Sequence, residues 1–167
     1  MSRTSKLVLK GDRAMKTKRS RKPARSKRPA QKRAPGPARR PRDPLLAPMK
    51  GANHRVVGGV TIDVVVAANG RVKRVCYPPG FRWSTHMQQI VNTPLCMHAH
   101  VGFLARGRVR GTYADGCAFD LAAPRAVVLE PGHDAWVVGK EPAVLIEFDA
   151  ESGTAARFGL PESHRHA

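Results

Sequence analysis

From about residue 54 to residue 149 the chain is written in short β-type runs, each stopped by a turn signal. This cadence constrains the fold more than any other feature. "GGVTIDVVVAANG" (58–70) is rich in Val and Ile and bounded by glycines, which predicts a strand or two. "RVKRVCY" (71–77) alternates apolar and basic residues ahead of the turn signal Pro78-Pro79-Gly80. "CMHAHVGFLA" (96–105) reads as a strand, Arg106-Gly107 as a turn and "RVRGTYA" (108–114) as the next strand. Asp115-Gly116 is a two-residue hairpin signal, with "CAFDLA" (117–122) returning on the other side. "RAVVLE" (125–130) stops at Pro131-Gly132, and "DAWVVG" and "AVLIEFD" supply two more strands. No amphipathic helix is expected in this region. Strands at intervals of roughly 8–12 residues predict an all-β sandwich or barrel.

The stretch before it is of another kind. Residues 1–50 carry 18 Lys or Arg against 2 acidic residues, a net of +16 out of a total formal charge of +18. Residues 51–167 carry 12 basic and 10 acidic residues. "KTKRSRKPARSKRPAQKRAPGPARRPRDP" has almost no large apolar side chain and is punctuated by proline, so it cannot bury enough surface to offset the entropy of ordering. The expected organisation is a disordered basic tail (1–50), a β-barrel (51–150) and a flexible C-terminal tail (151–167), with "SHRHA" too short and mobile to be a site. The tail's charge suits non-specific binding of nucleic acid or another polyanion through counterion release. No aromatic residue interleaves the charges to stack on bases. Cys76, Cys96 and Cys117 are widely spaced with no CxxC pair, which points to reduced thiols in a cytoplasmic setting. No apolar run approaches the roughly 20 residues of a spanning helix.

"PPGFRWSTH", "HVGFLARGRVRGTYADG" and "EPGHDAWVVGKEPAVLIEF" together resemble a small single-domain cupin, a jelly-roll β-barrel, over residues 56–149. Cupins hold a divalent metal with three histidines and a glutamate at the barrel mouth, and the resemblance maps those positions unevenly. Gly80 and His86 stand at the spacing that opens the family's first motif, and the next ligand position falls on Gln88. His100, six residues before a turn ending at Gly107, occupies the glutamate's place, and His98 has no counterpart. In the second motif Gly132 matches, Glu130 and Pro124 replace the proline and the first glycine, and the ligand position falls on Ala135. His133 lies two residues earlier, on the same face if the stretch is extended.

The residues themselves point the same way. Alternation along "MHAHVGFLA" sends His98, His100, Gly102 and Leu104 to one face. Two imidazoles at i and i+2 stand ~7 Å apart at their backbones and can converge on one ion. The candidate metal ligands are therefore His86, His98, His100 and His133, and Gln88, Tyr113 and Trp83 are candidates for a ligand pocket. The resemblance implies Fe, Zn, Ni, Mn or Cu, a small organic ligand, a homodimer and, were the protein an enzyme, dioxygenase- or isomerase-type chemistry. A metal-free binding or dimerisation module is the alternative. Without a motif glutamate, the site is expected to be all-histidine or incomplete.

Overall fold

The computed structural model describes residues 43–150 and 152–166; the basic tail up to residue 42 lies outside the described residues. Among the described residues nine strands follow one another: β1 (Asn53–Val57), β2 (Val60–Ala67), β3 (Gly70–Tyr77), β4 (His100–Arg106), β5 (Arg108–Tyr113), β6 (Ala118–Ala122), β7 (Arg125–Leu129), β8 (His133–Val137) and β9 (Ala143–Ala150). They form a six-stranded antiparallel sheet, β1-β2-β3-β9-β4-β7, and a three-stranded one, β6-β5-β8.

Cys96 adds a further rung to the small sheet through a lone antiparallel bridge to His133. Its N–H donates to the His133 carbonyl (2.8 Å), and its carbonyl accepts from Gly132 (2.7 Å). The layers are then β3-β9-β4-β7 and Cys96-β8-β5-β6, with the β1–β2 hairpin extending the first. After β3 the chain passes between layers repeatedly, and no two consecutive strands of the large layer from β3 onward are sequence neighbours. That interleaving is a jelly roll, the fold the cupin resemblance implies.

The core lies between the layers. Leu104 on β4, Val127 and Leu129 on β7, and Ala143 and Leu145 on β9 face Tyr113 on β5 and Val137 on β8. Outward positions of the same strands, Phe103 and Val128, are exposed, so period-two alternation decides what is inside. Two glycines permit the close approach of neighbouring backbones. A Cβ on Gly102 would stand 2.0 Å from the Ile146 carbonyl of β9, and one on Gly111 would stand 2.5 Å from the Asp134 carbonyl of β8.

Three expectations change. Where no helix was expected, the stretch after Pro79 winds into the single turns α1 (Trp83–His86) and α2 (Gln88–Val91). Asp134 of β8 holds the first of these, accepting from the Ser84 backbone N–H (3.1 Å) and hydroxyl (3.0 Å), a tertiary cap with no local signature. The strand expected from Cys96 begins in the ladder only at His100, because residues 97–99 cross from one layer to the other. The C-terminal segment, read from the sequence as a tail, lies against the barrel: α3 (Thr154–Arg157) is followed by His164, whose ring stacks on Tyr113 at 3.7 Å.

Candidate metal centre

Three neighbouring strands of the large sheet set the polar end of the barrel. Glu147 on β9 pairs with Lys73 on β3 on one side and with Gly102 on β4 on the other. Gly102 has no side chain, so the ring of His100, two residues earlier on β4, reaches across to the Glu147 carboxylate. His100 Nδ1 donates to Glu147 Oε1. Lys73 Nζ closes the other side, 2.8 Å from Glu147 Oε2 and 2.9 Å from Asp149 Oδ2. His98 Nε2 accepts from the same ammonium at 2.8 Å, which fixes that imidazole as neutral.

The small sheet brings the remaining donors. His133 and Cys96 share the bridge described above, and Tyr113 pairs with His133 on its other flank. His133 Nδ1 donates to the Glu130 carbonyl (2.7 Å), so its Nε2 carries the free lone pair. Cys96 Sγ lies 3.5 Å from His100 Nε2. One ligating atom each from Cys96, His100 and His133 therefore lie within 4.8 Å of one another, and all three residues are buried. A second group, His98, His100 and Glu147, meets the same distance limit.

The charges follow from these contacts. Burial pushes the His100 imidazole down and the Glu147 carboxyl up, but their mutual attraction outweighs burial, so His100 is held above and Glu147 below its ordinary range. Burial raises the Cys96 thiol, and the charge and hydrogen bond of His100 more than reverse this, bringing it down to about 6. Burial and the nearby positive charges of His100 and Lys73 drive His98 down to about 4.

Beside this polar end opens a narrow cavity of about 60 Å³. Cys96, His100 and His133 stand in a wall otherwise made mainly of apolar side chains, among them Phe81, Trp83 and Trp136.

No protein-family model matches the chain, and no curated protein matches it. Solved structures do. Among them is a cupin 2 conserved barrel domain protein from Salinispora arenicola CNS-205, with 16% identity, a TM-score of 0.46, and coverage of 68% of this chain and 94% of that one. A cupin-like protein from Thermotoga maritima is 19% identical, with a TM-score of 0.41, and the match covers 56% of this chain and 69% of that one. A mutant of Bacillus subtilis oxalate decarboxylase is 17% identical over 67% of this chain and 36% of that one, with a TM-score of 0.45.

The structure brings together three of the four histidines singled out in the sequence. His98, His100 and His133 converge, with ring centroids 5.0 Å apart for the first pair and 5.2 Å for the second. His86 does not join them: it ends α1, bonds the Arg82 backbone through Nδ1 (3.0 Å) and packs on Phe81. Its spacing from Gly80 matched a strand motif, but the intervening residues coil. Trp83 lines the cavity, Tyr113 stands behind His133, and Gln88 opens α2 without reaching the cavity wall.

Two participants escaped the sequence reading. Glu147 supplies the carboxylate that the motif lacked, from β9 rather than from the position His100 occupies. Its signal was an acidic residue in the inward phase of "AVLIEFD", set by Ala143 and Leu145. Cys96 had no such signal, because a lone thiol beside a proline-leucine pair looks like ordinary core filling. His54, outside the cluster, lies on β1 and bonds buried Asp63 at 2.7 Å.

Proposed function

We propose that the barrel binds a divalent transition metal through Cys96 Sγ, His100 Nε2 and His133 Nε2, and takes a small, largely apolar organic molecule in the adjoining cavity. One observation carries the reading. Three buried donors sit within bonding reach of a common point, and each imidazole has its other nitrogen fixed, His100 by the Glu147 carboxylate and His133 by the Glu130 carbonyl. That outer support orients both rings: His133 presents a free Nε2 lone pair, and a metal seated beside Cys96 would displace the Nε2 proton that His100 shares with the thiolate. Three protein ligands facing an apolar hollow are the pattern of a site that keeps one position open. A thiolate with two imidazoles suits Zn, Cu or Fe better than the harder Mn.

The chain's own residues divide the work. Cys96 supplies the negative charge, the two imidazoles complete the donor set, and Phe81, Trp83 and Trp136 exclude water from the face where a ligand would lie. A bound metal would supply Lewis acidity toward a polar group on that ligand. Lys73 has a separate part: its ammonium gives Glu147, Asp149 and His98 a cation belonging to the protein, so the His98–His100–Glu147 group is already neutralised. That observation favours a metal-free reading for the outer group alone and directs the ion to the inner one. Free thiols at all three cysteines fit a reducing compartment such as the cytoplasm. Among the described residues no helix is long and apolar enough to cross a membrane.

The test is metal content by mass spectrometry after purification without chelator, repeated on Cys96→Ser and His133→Ala. Near-stoichiometric metal in the wild type, with about one equivalent lost in each variant, supports the site. Variants that retain the wild-type content contradict it, as does a wild-type protein with less than about a tenth of an equivalent.

A further inference from the structure

The C-terminal segment folds back onto the β5–β6 turn and sets a second cluster of ligating side chains there, on the outside of the barrel. Cys117, His164 and His166 each offer one ligating atom, all within 4.8 Å of one another. Asp115 adds a fourth donor: its Oδ2 lies 3.1 Å from His166 Nε2 and 3.9 Å from His164 Nε2. Its Oδ1 is occupied, accepting from the Cys117 backbone N–H at 2.9 Å, which holds Oδ2 toward the rings.

His164 is the most constrained of the four. Its backbone N–H donates to the Pro131 carbonyl (3.2 Å), its ring stacks on Tyr113, and its Nδ1 bonds Glu130 Oε2 at 2.6 Å. The carboxylate makes Nδ1 the donor and leaves the Nε2 lone pair pointing into the cluster. Nε2 is buried and has no hydrogen-bond partner among the described residues. The Asp115 oxygen is too distant for a hydrogen bond, and as a fellow acceptor it could not satisfy that lone pair. An unsatisfied buried polar atom is destabilising, and a cation placed between a thiolate, a carboxylate and two imidazoles would remove that cost.

We infer that Asp115, Cys117, His164 and His166 form a second site for a divalent metal of the zinc type, one that clasps residues 164–166 to the β5–β6 turn. A thiolate, two imidazoles and a carboxylate make a full tetrahedral set, the composition of a closed structural zinc site rather than one with an open position. Zinc bonds of about 2.0–2.3 Å place neighbouring ligand atoms roughly 3.3–3.8 Å apart. The Cys117, His164 and His166 atoms, all within 4.8 Å of one another, would draw together around the ion, and Asp115 would swing in with His166, 3.1 Å from it. His166 is largely exposed, with 69% of its side chain open to solvent, which gives an ion a path in and leaves the imidazole free to swing onto it. Glu130 links this clasp to the inner site: its carboxylate holds His164, and its carbonyl holds His133.

The inference does not depend on the inner site, and the experiment separates the two. Full-length protein carrying Cys96→Ser, which lacks the inner thiolate, is titrated with Co²⁺ and followed by the thiolate-to-cobalt charge-transfer absorption. The expected result is one equivalent bound with that band present. The band should vanish on adding Cys117→Ser, and Co²⁺ affinity should fall at least tenfold with His166→Ala, an exposed position whose loss does not threaten folding. Zn²⁺ should also slow proteolysis of the C-terminal segment in the Cys96→Ser protein but not in the His166→Ala derivative. Absence of a charge-transfer band in Cys96→Ser overturns the inference, as does a band indifferent to Cys117→Ser and His166→Ala. Neither outcome alters the Cys96-dependent metal content of the wild type.

Discussion

At the scale of single residues, Glu147 is the group on which the inner site turns. It is 1% exposed, bonded on one oxygen to His100 and on the other to Lys73, so it orients the imidazole that would face the metal without being among the three ligands proposed. Glu147→Gln keeps the shape and a carbonyl that can still accept from His100, but removes the charge. Loss of such an outer carboxylate lowers metal affinity by about 10–100-fold. Competition of the variant against a chromophoric chelator should show a weakening in that range. An unchanged affinity would mean that His100 does not serve as a ligand through its far nitrogen. Sequence reading reached His100 and His133 because histidines within β-type runs are conspicuous. It missed Glu147 and Cys96 because their importance depends on what lies across the sheet, Lys73 and His133, and neither partner is near in sequence.

At the scale of elements, β4 carries the site and Gly102 lets it approach β9. The pair Gly102–Glu147 puts a residue with no side chain opposite the carboxylate, and the next rung, Phe103–Ile146, leaves no volume for a methyl. Gly102→Ala would force the two strands apart where His100 meets Glu147. Overpacking of this kind costs about 1–3 kcal/mol. Urea unfolding should show that loss, and metal content should fall with it. A variant as stable as wild type and fully loaded would show that the close approach does not matter. Strand identities were legible in the sequence because each run ends at a turn signal, as at Asp115-Gly116 between β5 and β6. The turn α1 was not, because the Asp134 carboxylate that caps it arrives from 50 residues further along.

At the scale of the whole molecule, buried ion pairs tie the outer hairpin and the strap before β1 to the barrel. Arg74 and Asp63 are both buried and bonded to each other, and Arg74 also donates to the Leu45 carbonyl at 3.1 Å. Burial alone would raise the Asp63 carboxyl, but the hydrogen bonds and charge of His54 and Arg74 bring it below the ordinary 3.8. A carboxyl depressed in the folded state binds its proton later than in the unfolded chain as the solution is acidified. Its contribution is therefore complete above the ordinary value and is lost as pH falls through the folded one. Asp149 has the same sign, its burial outweighed by Lys73 and Arg71. Urea midpoints should decline from about pH 5 to about pH 3, and Asp63→Asn should flatten part of that decline. At neutral pH, Arg74→Met leaves the buried Asp63 carboxylate with His54 alone and should cost up to about 3–5 kcal/mol. A pH slope unchanged by Asp63→Asn would place the acid sensitivity elsewhere. The jelly roll was readable from strand cadence and motif resemblance together, whereas these pairs were not, since Asp63 and Arg74 each look like the polar phase of a half-solvated strand.

The most direct measurement of the central claim is an anomalous difference map, collected at the absorption edge of whichever metal the purified protein carries. The proposal predicts a peak at bonding distance from Cys96 Sγ, His100 and His133, with Lys73 still seated between Glu147 and Asp149. A map with no peak there, or with its density among His98, His100 and Glu147 and Lys73 displaced, would contradict it.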